Sequence, residues 1–225
     1  MLEIEMHGII TIDGPAGSGK STISRLLAKK INFLYLDTGA MYRAVALAAN
    51  RAGISLGNGE RLGELCRSLD LYFETGEDTP RLFLNHEDIS MAIRSPEIDI
   101  AASTVSAVKE VREAMTDLQR KMARGVNIVA EGRDMGTVVF PGAQYKFFLT
   151  ASADARTERR FKERLLRGES VSSASVSAEL KKRDHQDETR ALAPLKPAAD
   201  AIIIDSTGLF IELVLEKIFS CLKTK

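Results

Sequence analysis

Gly8-Ile9-Ile10-Thr11-Ile12-Asp13-Gly14-Pro15-Ala16-Gly17-Ser18-Gly19-Lys20-Ser21-Thr22 joins a short β-rich run to a glycine-rich turn and a helical pattern that continues to Ile31. From Gly14 to Ser21 it satisfies G-x-x-x-x-G-K-[ST] at every position, after a strand and before a helix, the context the motif requires. The glycines let the backbone curl so that successive amide hydrogens face phosphate oxygens. The new helix adds the positive end of its dipole. Lys20 supplies a mobile cation for the β- and γ-phosphates, and the Ser21 hydroxyl can serve Mg²⁺ directly or through water. A nucleoside triphosphate is expected on Gly14 to Thr22. The motif leaves open whether its γ-phosphate passes to water or to a bound acceptor.

Further along, short apolar runs alternate with helical patterns. Phe33 to Leu36, Val126 to Ala130, Tyr145 to Leu149 and Ala201 to Ile204 are largely apolar, as suits strands buried on both faces of a parallel sheet. Strands alternating with helices predict the α/β class, with ligands at the carboxyl ends of the strands. Two stretches break the rhythm. Leu62 to about Ile100 reads as a hairpin-bearing insert, with Leu69 to Glu74, a turn over Thr75 to Pro80, and Arg81 to Asn85. Ala153 to Arg190 carries ten Lys or Arg against eight Asp or Glu. Its Ser-rich centre, Ser170 to Ser177, predicts a flexible turn within a moving flap.

Composition narrows the function classes. The chain has 225 residues, the length of one domain with a mobile insert, and 44% of them are apolar, enough for a substantial core. Thirty-one basic residues balance thirty-one acidic ones, which argues against a nucleic-acid coat or a polybasic membrane binder. Tryptophan is absent and aromatics reach only 6%, against a base-stacking surface. Cys66 and Cys221 are isolated, and His7, His86 and His185 lack metal-ligand spacing. Met1 to Gly8 lacks the order of a signal peptide, and no apolar run approaches the roughly 18 residues of a membrane span. The expectation is a reduced, cytoplasmic chain. Without a heptad run, it is expected to be a monomer.

Arginines fall at sites where ligands bind. Arg43 follows the second run in Leu36-Asp37-Thr38-Gly39-Ala40-Met41-Tyr42-Arg43, and Arg133 follows the third in Glu131-Gly132-Arg133-Asp134-Met135-Gly136. A later cluster is Arg183-Asp184-His185-Gln186-Asp187-Glu188-Thr189-Arg190. One such arginine alone would be read as a surface ion pair. Their joint placement fits a clamp on a second phosphorylated molecule. Asp13, Asp37 and Glu131, at strand ends near the loop, either lie around a Mg²⁺ ion or cap the following turn or helix. Arg156, Arg160 and Arg164 recur at i+4 beside Glu158 and Glu163, the pattern of a solvated helix face.

These blocks, with Gly132 to Pro141 and Ala193-Pro194-Leu195-Lys196-Pro197-Ala198-Ala199-Asp200, resemble bacterial cytidylate (CMP) kinases in the same order from about Ile10 to Thr207. The resemblance implies a three-layer P-loop fold on a parallel five-stranded sheet. Its core would comprise 1–61, 101–152 and 191–225, with a monophosphate-binding insert over about 62–100 and a lid over about 153–190. It implies transfer from ATP, with Mg²⁺, to CMP and dCMP. Gly14, Pro15, Ala16, Gly17, Ser18, Gly19, Lys20, Ser21 and Thr22 would hold ATP. Arg43, Arg133 and Arg190 would hold the acceptor phosphate, with Tyr42 packed near the nucleotide and Thr38 at a Ser/Thr position of the family. Arg183 and Asp187 would reach the ribose, and Arg159 would close over the phosphates. Lys20, Arg133, Arg159 and Arg190 would then carry catalysis. Ser103, Arg112 and Asp134 would read the cytosine edge.

That last assignment has a physical basis: cytosine offers an N4 amine donor with N3 and O2 acceptors, matching an Asp and an Arg, whereas uracil reverses the polarity. Ser103 and Arg112 are nine residues apart, about 180° on one straight helix, so both face one ligand only if the segment kinks or divides. Lys109 stands where the family often carries a proline. Two rival readings remain open: a kinase for another acceptor such as UMP, and a nucleotide-dependent switch that binds a protein partner.

Overall fold

Isoleucine and valine dominate three of the five runs, and phenylalanine, tyrosine and leucine the other two, because β-branched and aromatic side chains suit a pleated surface. The structure, a computed structural model, describes residues 8–74 and 80–222. In chain order the elements are β1 (Ile9–Asp13), α1 (Lys20–Ile31), β2 (Leu34–Asp37), α2 (Thr38–Arg51), α3 (Gly59–Ser68), β3 (Leu71–Glu74), β4 (Arg81–Leu84) and β5 (Glu87–Asp88). They continue with α4 (Pro96–Val105), α5 (Lys109–Met122), β6 (Ile128–Gly132), β7 (Tyr145–Thr150), α6 (Ala153–Leu166), α7 (Ser173–Thr189), β8 (Ile202–Asp205) and α8 (Ile211–Leu222). The main sheet runs β2-β6-β1-β7-β8, and a second sheet runs β3-β4-β5. The α/β class and the five-stranded parallel sheet are as expected.

The described chain divides into two compact units, residues 8–33 with 127–222, and residues 34–126. In the first, β1 pairs in parallel with β6 and with β7, and β7 with β8. The registers Asp13↔Gly132 and Asp13↔Phe148 bring the carboxyl ends of three strands level. The loop after β1 and Arg133 after β6 therefore leave the sheet side by side. Ile10, Ile12, Val129, Ala130, Phe147 and Leu149 form its buried middle.

In the second unit α2 packs against α4, and α3 against α5. The expected hairpin is present: β3 and β4 are antiparallel, with Leu71 opposite Leu84 and Glu74 opposite Arg81. Of its expected turn, 75–79 lies outside the described residues. A third strand, β5, extends the hairpin. Asn85 (φ 49°) and His86 (φ 69°) both adopt positive φ between β4 and β5, the backbone of a two-residue hairpin turn. The stretch 96–122 divides into α4 and α5, with the break at 106–108.

One expectation for the first unit is corrected. The serines from Ser173 onward lie inside α7 rather than in a flexible turn, because Ser172 and Ser175 form a capping box. Ser172 Oγ accepts from Ser175 N (3.1 Å), and Ser175 Oγ accepts from Ser172 N (3.3 Å). Val176 and Leu180 then pack with Phe161 and Val171 on Ala16 of the glycine-rich loop.

Candidate functional site

Gly14 has φ 148°, and a Cβ there would stand 2.0 Å from the Leu149 carbonyl oxygen, so only glycine lets the loop pass this close to β7. Gly19 precedes α1 with φ 92° and no side-chain cap, leaving the helix N-terminus to an anion. Lys20 is 6% exposed, and its Nζ donates to Pro15 O at 2.6 Å. An ammonium has three donors, so this bond leaves capacity for phosphate oxygens. Burial, then the Arg133 guanidinium, hold the Lys20 ammonium well below the ordinary amine range. Asp13 resolves toward capping: its two oxygens accept from Met135 N and Gly136 N, both at 2.8 Å. Burial, opposed by these bonds, raises its carboxyl to about 6.

Beside the loop lies a charged cluster. Arg133 Nε donates to Asp187 Oδ2 at 2.8 Å, and its Nη1 to Gly132 O at 3.2 Å. Arg190 lies 3.5 Å from Asp134 Oδ1 and 4.0 Å from Asp187 Oδ1, and its Nε donates to Ala193 O at 2.8 Å. Burial alone would raise the Asp187 carboxyl, but Arg133, Arg183 and Arg190 hold it below the usual range. Arg183 and Glu131 both bear on Lys20 electrostatically. Lys20, Arg133, Asp134, Arg183, Asp187 and Arg190 thus belong to one neighbourhood.

Thr38, Tyr42, Arg43, Ser103 and Arg112 lie in the second unit. Asp37 caps α2, its Oδ1 accepting from Ala40 N at 2.8 Å, and its Oδ2 stands 3.4 Å from Arg43 Nη2. Arg43 Nη1 reaches Asp99 Oδ1 at 3.5 Å. The Arg112 guanidinium lies 5.8 Å from the Tyr42 ring centroid, and Nη1 donates to Ser106 O at 3.1 Å. Thr38, Tyr42 and Arg112 are buried, and Ser103 is half-buried. Ser103 and Arg112 fall on opposite sides of the α4–α5 break, so the 180° objection to a shared ligand is lifted. The missing proline matters little: Lys109 occupies the first position of α5, which proline favours but does not monopolise.

The family model for cytidylate kinase matches residues 10–224. The chain belongs to the cytidylate kinase family. It is 50% identical over 217 residues to the cytidylate kinase of Citrifermentans bemidjiense, covering 96% of this chain and 93% of that one. It is 46% identical to the cytidylate kinase of Vibrio cholerae, covering 96% of each. A solved structure of an uncharacterised protein from Eubacterium ventriosum aligns over 97% of this chain and all of that one, with a TM-score of 0.56 at 12% identity, which is a likeness of fold alone.

In this member of the cytidylate kinase family the arginines of α6 divide. Arg159 Nη2 donates to Ser206 O at 2.6 Å, and Nη1 to Ser206 Oγ at 2.9 Å and Ser18 O at 3.4 Å, which places it against the loop. The solvated-face reading is corrected for two others. Arg156 Nη1 binds Asp184 Oδ2 at 2.5 Å and Ala16 O at 3.2 Å. Arg164 is buried between Glu169 (2.6 Å) and Glu179 (2.7 Å). Arg160 does pair with Glu163 at the surface.

Sequence reasoning missed Ser206, Asp99 and the pair Lys146–Asp200. A lysine interrupting the apolar run Tyr145 to Leu149 is the one readable signal among them. No helix among the described residues is long and apolar enough to cross a membrane, and no cluster of three His, Cys, Asp or Glu that could hold a metal occurs among them.

Proposed function

We propose that the protein transfers the γ-phosphoryl group of ATP to CMP, and to dCMP, giving ADP and CDP or dCDP. The bond from the γ-phosphorus to the β–γ bridging oxygen breaks, and one forms to an acceptor phosphate oxygen, in line. No covalent intermediate with the protein and no essential histidine is involved. Catalysis rests on positioning and charge neutralisation.

The observation that carries this is the sharing of one neighbourhood by Lys20 and a carboxylate-braced arginine pair, Arg133 and Arg190. Gly14 to Thr22 hold the donor, and Lys20 takes its β- and γ-oxygens. Arg133 and Arg190 hold the acceptor phosphate, and Arg43 is assigned to the same group. Arg183 and Asp187 take the ribose hydroxyls, and Ser103, Arg112 and Asp134 the base. Arg159 neutralises charge on the donor.

The exposed Ser21 hydroxyl in the first turn of α1 fits Mg²⁺ bound mainly by donor phosphates, whereas both Asp13 oxygens are occupied. When bound, Mg²⁺ neutralises phosphate charge. The protein is read as a cytoplasmic monomer.

The test is ADP release with CMP, dCMP, UMP and AMP in parallel. CMP and dCMP should drive turnover and UMP little, because a base site built on polar pairing rejects a reversed edge. Equal turnover of UMP would sink the base assignment. Slow hydrolysis that no monophosphate stimulates would favour a switch.

A further inference from the structure

A charged side chain inside a central parallel strand needs a reason, because burying an ammonium is costly unless its protons are matched. Lys146 is such a residue: it lies on β7, paired with Thr11 of β1, and its side chain is 9% exposed. Its Nζ donates to Pro141 O at 2.5 Å and to the Asp200 oxygens at 2.9 and 2.8 Å, so all three donors have acceptors. Asp200 itself is 65% exposed, so water would serve it as well; the pair is not there for the aspartate.

Asp200 closes the irregular segment that begins at Arg190. Arg190 ends α7, and its Nε donates to Ala193 O at 2.8 Å. Ala193 has φ 49°, an uncommon conformation for a residue with a Cβ, which persists only where the surroundings enforce it. Leu195, buried, donates its amide to Asp187 O at 2.8 Å. At the far end Ala201 N bonds Ala198 O, and β8 begins at Ile202. The Lys146–Asp200 pair fastens this end to the sheet by side chains. The Lys146 stem passes over Gly136, where an added Cβ would stand 3.3 Å from its Cδ and whose amide is held by Asp13.

We propose that Lys146 and Asp200 are positioning residues, which tie the 190–200 strap to β7 and thereby fix the Ala193 carbonyl that aims Arg190. Neither touches substrate. The inference rests on the assignment of Arg190 to the acceptor phosphate.

The test is steady-state kinetics on Asp200→Asn, Lys146→Met and Arg190→Met, and on Asp200→Asn combined with Arg190→Met, well below each melting temperature. Asp200→Asn and Lys146→Met should each lower kcat/KM for CMP roughly tenfold while the KM for ATP stays constant, since a misaimed guanidinium costs transition-state contact. Asp200→Glu, which keeps the charge, should recover most of the loss. In the Arg190→Met background Asp200→Asn should cost nothing further, because the effect passes through that arginine.

Loss of thermal stability with CMP kinetics intact would overturn the proposal. So would an undiminished effect of Asp200→Asn in the Arg190→Met background. If Arg190→Met alone left CMP turnover intact, the assignment of Arg190 would fall instead.

Discussion

Asp134 shows how one side chain serves two demands. Its carboxylate is 3% exposed and stands 3.5 Å from Arg190, so it braces an arginine, and in the proposed site it also offers an acceptor to the base. Asp134→Ala would remove both roles together. Asp134→Asn keeps the volume but replaces one acceptor with a donor, matching the uracil polarity better. Its CMP-to-UMP ratio of kcat/KM should fall by about tenfold or more, since an unpaired buried polar edge costs roughly 1–3 kcal/mol. A side-by-side acceptor assay reads it, and an unchanged ratio would remove Asp134 from base reading. Gly14 makes a different demand, on backbone. In Gly14→Ala the new Cβ meets the Leu149 carbonyl of β7 at 2.0 Å, and φ 148° is strained besides. The cost should be about 2–3 kcal/mol, or a melting temperature lower by about 4–12 °C, measured by thermal denaturation without nucleotide.

At the scale of elements, α7 carries Arg183 and Asp187 and ends at Arg190, so its integrity matters more than its exposed length suggests. Ser172→Ala breaks the capping box and should cost about 1 kcal/mol. Hydrogen exchange should quicken at the amides of Ser173 to Val176 while the last turn, held by Arg133–Asp187, stays protected. Uniform exchange along α7 would mean the cap does not define its start. The same helix shows where sequence reading succeeds and fails. The glycine-rich loop and the arginines after β2 and β6 were legible because strand ends and phosphate chemistry impose local patterns. Serine content instead suggested a flexible turn at Ser170 to Ser177, of which Ser173 onward is helix, since serine favours both caps and loops and only its hydrogen-bond partners separate them. Arg156 and Arg164 read as solvated because i+4 spacing cannot reveal that Asp184 and Glu179 on α7 meet them. Lys146 and Asp200 are 54 residues apart, and the strap they fasten follows no periodicity.

For the whole molecule, two buried carboxyl groups should shape stability against pH in opposite directions. Asp13 has its carboxyl raised to about 6 in the folded protein from 3.8, so between these values the folded state holds more protons than the unfolded one. Its contribution is full below pH 3.8 and is lost as pH rises through about 6, a change of about 3 kcal/mol. Asp187 is held below 3.8 by Arg133, Arg183 and Arg190 despite its burial, so its contribution is present above 3.8 and lost as pH falls below it. Denaturant unfolding without nucleotide should therefore show stability falling from pH 4 to 6 through Asp13, and falling again at more acid pH through Asp187. Asp13→Asn should flatten the first limb. It should also lower stability overall, because an asparagine oxygen can accept from Met135 N or Gly136 N but its amide repels the other. Asp187→Asn should flatten the acid limb alone. If Asp13→Asn left the slope between pH 4 and 6 unchanged, Asp13 would be ionised throughout, and the two backbone amides would outweigh its burial.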